Sequence, residues 1–157
     1  MANKIRAAAI LIRDDNILLI HRTRHNHEFY VFPGGKKEDN ESVEEAVVRE
    51  VKEEASIKCE IIKLLYTLYL PDLKDKHVYY LCQYISGAPR LGNYNEMETM
   101  QKEDQTYKPV WLKIETLTKK LIYPLEIRDW VIRDHSQNFQ DPPKTVTLIS
   151  TDLRQEL

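Results

Sequence analysis

Cysteine is scarce in this chain of 157 residues, which contains only Cys59 and Cys82. Two cysteines so far apart in sequence exclude a disulfide framework and a zinc cluster, and we expect reduced thiols in the core. An excess of either charge is also missing, with 23 basic and 25 acidic residues and a net charge of -2. This balance argues against binding to extended nucleic acid. The balance does not exclude the binding of a small anionic ligand, because a bound metal ion would supply positive charge locally.

Long apolar runs are absent as well. No run approaches the ~20 residues needed to cross a bilayer, and residues 1–6 lack a signal-peptide pattern, so we expect a cytoplasmic protein without membrane contact. The composition, 42% hydrophobic and 31% charged, is that of an ordinary globular protein. We predict one domain over residues 1–140 and a tail over 141–157, separated by the Asp141-Pro142-Pro143 break.

Alternation and turn residues predict a mixture of strands and helices, and therefore an α/β or α+β fold. Strands are predicted over residues 4–12, 17–20, 29–32, 57–70, 76–85 and 110–112. Helices are predicted over 43–55, 114–120 and 125–135, and a long polar loop over 87–105. Residues 145–149 form a weaker strand that could add to a sheet edge in its own chain or in a second copy, so a homodimer stays open.

The first predicted helix begins with a capping box, in which Ser42 and Glu45 stand three residues apart. At about 100° per residue, four of its apolar side chains form a stripe that should face the core. These are Val43, Ala46, Val47 and Val51.

Acidic residues interrupt that stripe. Glu50 and Glu54 lie about 40° apart within it, and Glu53 lies on its edge. Arg49 is predicted on the outward face, from which it could orient or neutralise the acids. A solvated Glu-rich face is the simpler alternative, but it does not explain acids on the apolar side. Because burying unpaired carboxylates is costly, a divalent cation such as Mg²⁺ would resolve the conflict.

These acids belong to a spaced pattern that resembles the Nudix box. The pattern reads Gly35-x5-Glu41-x7-Arg49-Glu50-Val51-x-Glu53-Glu54-x-Ser56-Ile57. Every fixed position of the box matches except Ser56, where the box has Gly. That Gly usually ends the helix in a left-handed conformation, so Ser56 should cost stability or alter the turn. The resemblance extends to a Trp-containing closing strand around Trp111, and it implies the Nudix (MutT-like) fold: a mixed β-sheet sandwiched between helices.

The resemblance also implies roles for the matched residues. Glu50, Glu53 and Glu54 would bind Mg²⁺, with Mn²⁺ as an alternative, and Glu53 and Glu54 would also serve catalysis. The backbone carbonyl of Gly35 is a further metal ligand in the family. Arg49 would act in catalysis by holding the acid cluster in place. Glu41, just before the helix, would have a structural role outside the metal ligands.

Further candidates lie outside the box. The catalytic base of the family often comes from a later loop, and Glu96 or Glu98 is our choice, with Glu103 in the same loop. Arg22 and Arg24 follow the second strand and could bind phosphates, although a surface basic cluster is the alternative. Either Phe29 or Tyr30 could stack on a nucleobase, since alternation turns only one of them to a given face, and we choose Tyr30. His25 and His27 are read as loop histidines.

The function implied is a Mg²⁺-dependent hydrolase that cleaves a diphosphate linkage in a small nucleotide-like substrate. A nucleoside triphosphate or an oxidised nucleotide is favoured. An ADP-ribose-like substrate comes next, because Pro71 lies 14 residues after Ile57 and some ADP-ribose-cleaving members of the family have a proline at about this distance. The first alternative is a Nudix-fold nucleotide-binding or sensor domain without turnover. The second is diphosphate isomerase chemistry, which would need a catalytic Cys.

Overall fold

The computed structural model describes residues 4–90 and 106–149. Within them lie nine strands: β1 (Lys4–Arg13), β2 (Asn16–Arg24), β3 (His27–Val31), β4 (Gly34–Lys36), β5 (Lys58–Leu70), β6 (Asp75–Ser86), β7 (Thr106–Lys113), β8 (Ile122–Tyr123) and β9 (Lys144–Thr147). The same residues contain helices α1 (Val43–Ala55) and α2 (Leu125–Ser136). Short 3₁₀ helices span Pro71–Leu73 and Ile114–Lys119.

The strands form one mixed sheet with the order β8-β3-β2-β1-β6-β5-β9, to which β4 adds beside β1 and β7 beside β2. The pairs β1–β6, β3–β8 and β5–β9 are parallel, and the others are antiparallel.

Helices cover both faces of this sheet because β1 is apolar on both sides. Ala7, Ala9 and Leu11 belong to the buried cluster that contains the apolar face of α1. The alternate residues Ala8 and Ile10 belong to a second cluster, which contains the buried side chains of α2. Two-faced burial of this kind produces a near-continuous apolar run rather than alternation. The predicted α/β fold, with a mixed sheet between helices, is confirmed.

Helix α1 begins and ends where the sequence predicts. The Ser42 side chain accepts a hydrogen bond from the Glu45 backbone at 3.0 Å, and the Glu45 carboxylate accepts one from the Ser42 backbone at 2.8 Å. Ser56 ends the helix in the left-handed region, with φ 59° and ψ 32°. The turn therefore keeps the conformation that the glycine of the box would adopt, although a side chain is present.

Besides β2 and β7, which are longer than predicted, three segments differ from the prediction. Residues 114–120 were expected to be helical, and the structure has a 3₁₀ helix at Ile114–Lys119. Its buried residues, Ile114 and Leu117, are three apart, which suits a repeat of three residues per turn, and β8 follows at Ile122. Gly34 and Gly35, which lie outside the predicted strands, form β4 together with Lys36, and this strand pairs with β1.

The end of the described chain returns to the sheet. Strand β9 pairs in parallel with residues Tyr66–Tyr69 of β5 in the same chain. The predicted strand over residues 145–149 thus adds to an edge of its own sheet. No helix among the residues described has the length and apolar character needed to cross a membrane.

Candidate active site

The two glycines of β4 bring the chain against the acidic side of α1. A Cβ built on Gly35 would lie 2.4 Å from a Glu50 carboxylate oxygen, so a side chain at this position would displace that carboxylate. The Gly34 backbone N–H donates a hydrogen bond of 2.9 Å to Oε1 of Glu54. Strand β4 therefore holds Gly35 and both carboxylates together, as the box pattern suggested.

Glu50 and Glu54 are buried, with 9% and 3% of their surfaces exposed. Burial and the hydrogen-bonded neighbour Glu50 together raise the pKa of Glu54 to about 8, while the hydroxyl of Tyr107 acts in the opposite direction. That hydroxyl donates a hydrogen bond to Oε2 of Glu54. The fold therefore maintains two interacting carboxylates in a place where negative charge is unfavourable.

Arg49 links the acids into a network. Its Nε and Nη2 donate to the Glu41 carboxylate at 2.9 and 2.7 Å, and its Nη1 donates to Glu50 at 2.9 Å and to Glu53 at 3.1 Å. These bonds raise the pKa of Arg49 and lower that of Glu41 to about 2. The prediction that Arg49 faces outward is wrong for its guanidinium, since the side chain folds back over the acids and is only 23% exposed.

The acids of this network are candidate ligands for a metal ion. Within residues 4–90 and 106–149, no three Asp, Glu, His or Cys side chains are arranged as a set of metal ligands. Glu50 and Glu54 nevertheless face each other beside Gly35, while Glu53 is paired with Arg49 and is 40% exposed. Paired buried carboxylates beside a glycine backbone provide the oxygen donors that Mg²⁺ prefers, so the residues present fit such an ion.

A cavity of ≈ 430 Å³ opens between β1, β6 and β3, and its residue Lys36 contacts the acidic site, since the Lys36 backbone oxygen accepts a hydrogen bond of 3.1 Å from Arg49. Its aromatic walls include Phe29, Phe32, Tyr79 and Tyr123, and its basic residues are Lys4, Arg6, Arg22 and Lys36. Arg6 donates to the backbone oxygen of Gly34 at 3.2 Å, which ties this side of the cavity to the acids. An aromatic cavity with several cations suits a planar ligand that carries phosphates.

The structure separates the three predicted substrate-binding residues. Arg22 lines the cavity, whereas Arg24 is exposed at the end of β2, where it pairs with His27. Tyr30 is 8% exposed and belongs to the cluster that packs on α2. Its neighbour Phe29 lines the cavity instead. We therefore replace Tyr30 with Phe29 as the candidate for stacking, because the alternation of β3 points the two rings in opposite directions.

Several residues of this site were missed at the sequence level. Arg6 stands in an apolar strand, and Lys36 directly follows the glycine pair. A cation at either position is a signal that could have identified these two residues as part of the site. Tyr107 carried no local signal, since its contact with Glu54 spans 53 residues. His77 likewise reaches the cavity only through the pairing of β6 with β1.

Two other groups of candidates have different outcomes. Glu96, Glu98 and Glu103 lie outside the described residues, so the choice of catalytic base stays a prediction.

Cys59 and Cys82 are buried in the cluster beside α1, at 3% and 1% exposure. Because these are the only thiols of the chain, the isomerase alternative lacks its accessible cysteine.

Comparison with known proteins gives consistent matches. The chain is 38% identical over 76 residues to an 8-oxo-dGTP diphosphatase from Proteus vulgaris, a match that covers 47% of this chain and 67% of that enzyme. Two further relatives, a putative nudix hydrolase 1 from Caenorhabditis elegans and an NAD-capped RNA hydrolase NudC from Escherichia coli, are matched over 18% and 29% of their length. A MutT NUDIX hydrolase from Burkholderia pseudomallei superimposes with a TM-score of 0.60 at 27% identity, covering 80% of this chain and 94% of that one.

A second solved structure shares the fold over more of the chain. A NUDIX hydrolase from Nitrosomonas europaea superimposes with a TM-score of 0.70 at 16% identity, covering 94% of this chain and 81% of that one. The family model described as NUDIX domain matches residues 3–133. The chain therefore belongs to the Nudix, MutT-like hydrolase family.

Proposed function

We propose that this Nudix domain is a Mg²⁺-dependent hydrolase that cleaves the diphosphate linkage of a nucleoside diphosphate derivative. A nucleoside triphosphate or an oxidised nucleotide is the favoured substrate. The single observation that carries this proposal is the buried pair Glu50 and Glu54 beside the backbone of β4, in which Glu50 is bonded by Arg49 and Glu54 by the Gly34 N–H. Two adjacent buried carboxylates are poorly compensated by the bond from Arg49 to Glu50, and they would be stabilised by a divalent ion.

Glu50, Glu54 and the Gly35 carbonyl would hold the cation, with Glu53 joining when it leaves Arg49. Mn²⁺ would occupy the same oxygen donors. When bound, the cation supplies positive charge that stabilises the charge developing on the leaving phosphate.

The other residues orient the substrate. Arg22 and Arg6 line the cavity beside the acids, where they would bind phosphate oxygens through their guanidinium groups. The Phe29 ring would stack on the nucleobase. In the hydrolysis itself, a water oxygen bonds to phosphorus, the bridging P–O bond breaks, and the water proton passes to a carboxylate base. Glu96 or Glu98 is our proposal for that base.

The relative from Proteus vulgaris is described as an 8-oxo-dGTP diphosphatase, which supports the favoured substrate class. An ADP-ribose-like substrate is the second candidate. The observation that favours it is Pro71, which begins the short 3₁₀ helix between β5 and β6, four residues before the cavity residue Asp75.

The test is hydrolysis with Mg²⁺ across nucleoside triphosphates, oxidised nucleotides, ADP-ribose and dinucleoside polyphosphates. Glu54→Gln should abolish activity because it removes a carboxylate of the buried pair. Glu60→Gln, the same change at an exposed residue of β5, should leave activity unchanged. Chelation should remove activity and added Mg²⁺ should restore it. Binding of these nucleotides without turnover of any would replace the proposal with the sensor alternative.

A further inference from the structure

One acid of the cavity has no part in the site proposed above. Asp75 lines the cavity at the start of β6, and its Oδ1 atom is buried. Among the described residues, this oxygen has no hydrogen-bond partner and Asp75 takes part in no ion pair. Because buried carboxylate oxygens are normally satisfied, an unpaired one at a cavity wall indicates a ligand that donates a hydrogen bond.

The position of Asp75 places it away from the cation-binding acids. Ala7 of β1 pairs with Gly35, whereas Lys4, three residues earlier, pairs with Asp75. Three residues of strand correspond to about 10 Å. A ligand whose diphosphate lies beside Gly35 would therefore present its nucleoside end, not its phosphates, to Asp75.

The surroundings of Asp75 favour a flat, uncharged group. His77, two residues along β6, lines the same cavity, and burial together with Arg6 lowers its pKa to about 4 against the opposing effect of Asp75. The imidazole is therefore neutral at pH 7. The rings of Phe29 and Tyr123, with centroids 5.8 Å apart, form an aromatic wall of the cavity. Aromatic walls and one acceptor-only group suit a base with an amino group.

We propose that Asp75 is a specificity-determining residue that accepts a hydrogen bond from the exocyclic amino group of the substrate's nucleobase. This inference rests on the proposed function and adds the kind of base that the cavity selects. An ionised carboxylate can only accept hydrogen bonds, so it matches the amino group of adenine, guanine or cytosine. It rejects a base with a carbonyl oxygen or a hydrogen atom in that place, because the buried oxygen then stays unpaired.

Glu126 is the competing residue. Its Oε2 is also buried without a partner among the described residues, and its charge acts on Tyr79. Glu126 lies in the first turn of α2 and is not part of the cavity wall, whereas Asp75 is. The geometry therefore favours Asp75, and the variants below distinguish the two.

The experiment uses calorimetry on the metal-free protein. It measures the binding of nucleoside monophosphates that differ in whether the base carries the amino group. The pairs are AMP against IMP, GMP against IMP, and CMP against UMP. In at least one pair, the amino-bearing member should bind about 10- to 100-fold more tightly, the range expected for a hydrogen bond to a charged group. This comparison needs no variant. Differences below about 3-fold in all three pairs, or no binding of any nucleotide, would overturn the proposal.

Asp75→Asn should then reduce the preference to less than about 3-fold, because an amide can either donate or accept a hydrogen bond. Asp14→Asn is the matched control, since its side chain is 90% exposed at the β1–β2 turn. If Asp75→Asn kept the preference for the amino-bearing nucleotide, or if Glu126→Gln alone lost it, another residue and not Asp75 would recognise the amino group. Because binding is read without hydrolysis, failure of the catalytic proposal would appear separately, as selective binding without turnover.

Discussion

The hydroxyl of Tyr107 donates a hydrogen bond to Glu54, and this bond joins β7 to α1 across 53 residues of sequence. The Gly34 backbone N–H bonds the other oxygen of the same carboxylate. Glu54 is thereby fixed between two donors while it faces Glu50. Orientation of a metal-binding carboxylate by such donors is a recurrent way of increasing metal affinity.

Tyr107→Phe removes one of these donors and should weaken cation binding. We expect a fall of about 10-fold or more in the affinity for Mn²⁺, and a matching increase in the Mg²⁺ concentration needed for activity. Free Mn²⁺ measured by electron paramagnetic resonance reports the affinity directly. Tyr69→Phe is the control, at a half-exposed tyrosine of β5 far along the sheet. An unchanged Mn²⁺ affinity would show that Tyr107 does not position Glu54.

Replacement of Ser56 by Gly should stabilise the protein. Ser56 adopts φ 59°, a left-handed conformation that costs a residue with a side chain about 1 kcal/mol relative to Gly. The variant should therefore raise the free energy of unfolding by about 1 kcal/mol in urea titrations. Ser86→Gly, at the end of β6 and without a positive φ, should have no such gain. Equal effects of the two changes would contradict this account.

Local patterns were sufficient to predict α1 and its acids. The capping box, the apolar stripe and the i,i+4 spacing of Glu50 and Glu54 are properties of one helix, and the structure places all of them as predicted. The same holds for β1 and β2, which were predicted as strands over residues 4–12 and 17–20.

Contacts between distant segments could not be predicted in this way. Arg49 was placed on the outer face by its angle on the helix, but its long side chain reaches back to Glu41 and Glu53. Tyr30 was chosen over Phe29, although alternation shows only that the two rings lie on opposite faces of the strand and not which face is which. The pairing of β3 with β2 and β8 decides which ring reaches the cavity. The place of Asp75 in the cavity could be recognised only from the parallel register of β6 with β1.

A buried network around Asp134 should be important for stability. Its side chain is 4% exposed and accepts hydrogen bonds of 2.8 Å from Tyr66 and 2.8 Å from Lys144, which links α2 to β5 and β9. Burial alone would raise the pKa of Asp134, but the bonds from Lys144, Tyr66 and Arg133 hold it below its ordinary value. The carboxylate is thus charged and paired.

Asp134→Ala leaves Lys144 and the Tyr66 hydroxyl without this acceptor, and should cost about 3 kcal/mol in chemical denaturation. Asp129→Ala is the control on the same helix, with its carboxylate 61% exposed, and should change the free energy by less than about 1 kcal/mol. If both variants lost the same small amount, the network would not hold β9 in place.

His77 should make stability depend on pH in mildly acidic solution. Burial and the nearby Arg6 lower its pKa in the folded protein from 6.5 to about 4, with Asp75 acting in the opposite direction. Between these values the unfolded chain binds a proton that the folded protein does not. The contribution is therefore fully present above pH ~6.5 and is lost as the pH falls towards ~4, with a value of at most about 3 kcal/mol.

Denaturation of the metal-free protein at several pH values between 7 and 4 measures this loss. His77→Gln cannot take up the proton, so its stability should fall less steeply than that of the wild type, and the two curves should differ most in slope between the two pKa values. His27→Gln, at an exposed histidine of β3, should follow the wild-type curve. Carboxylates that titrate near pH 4 affect all three proteins alike, so the difference between variants isolates His77. Parallel curves for His77→Gln and the wild type would mean that the folded protein accepts a proton on His77 without cost.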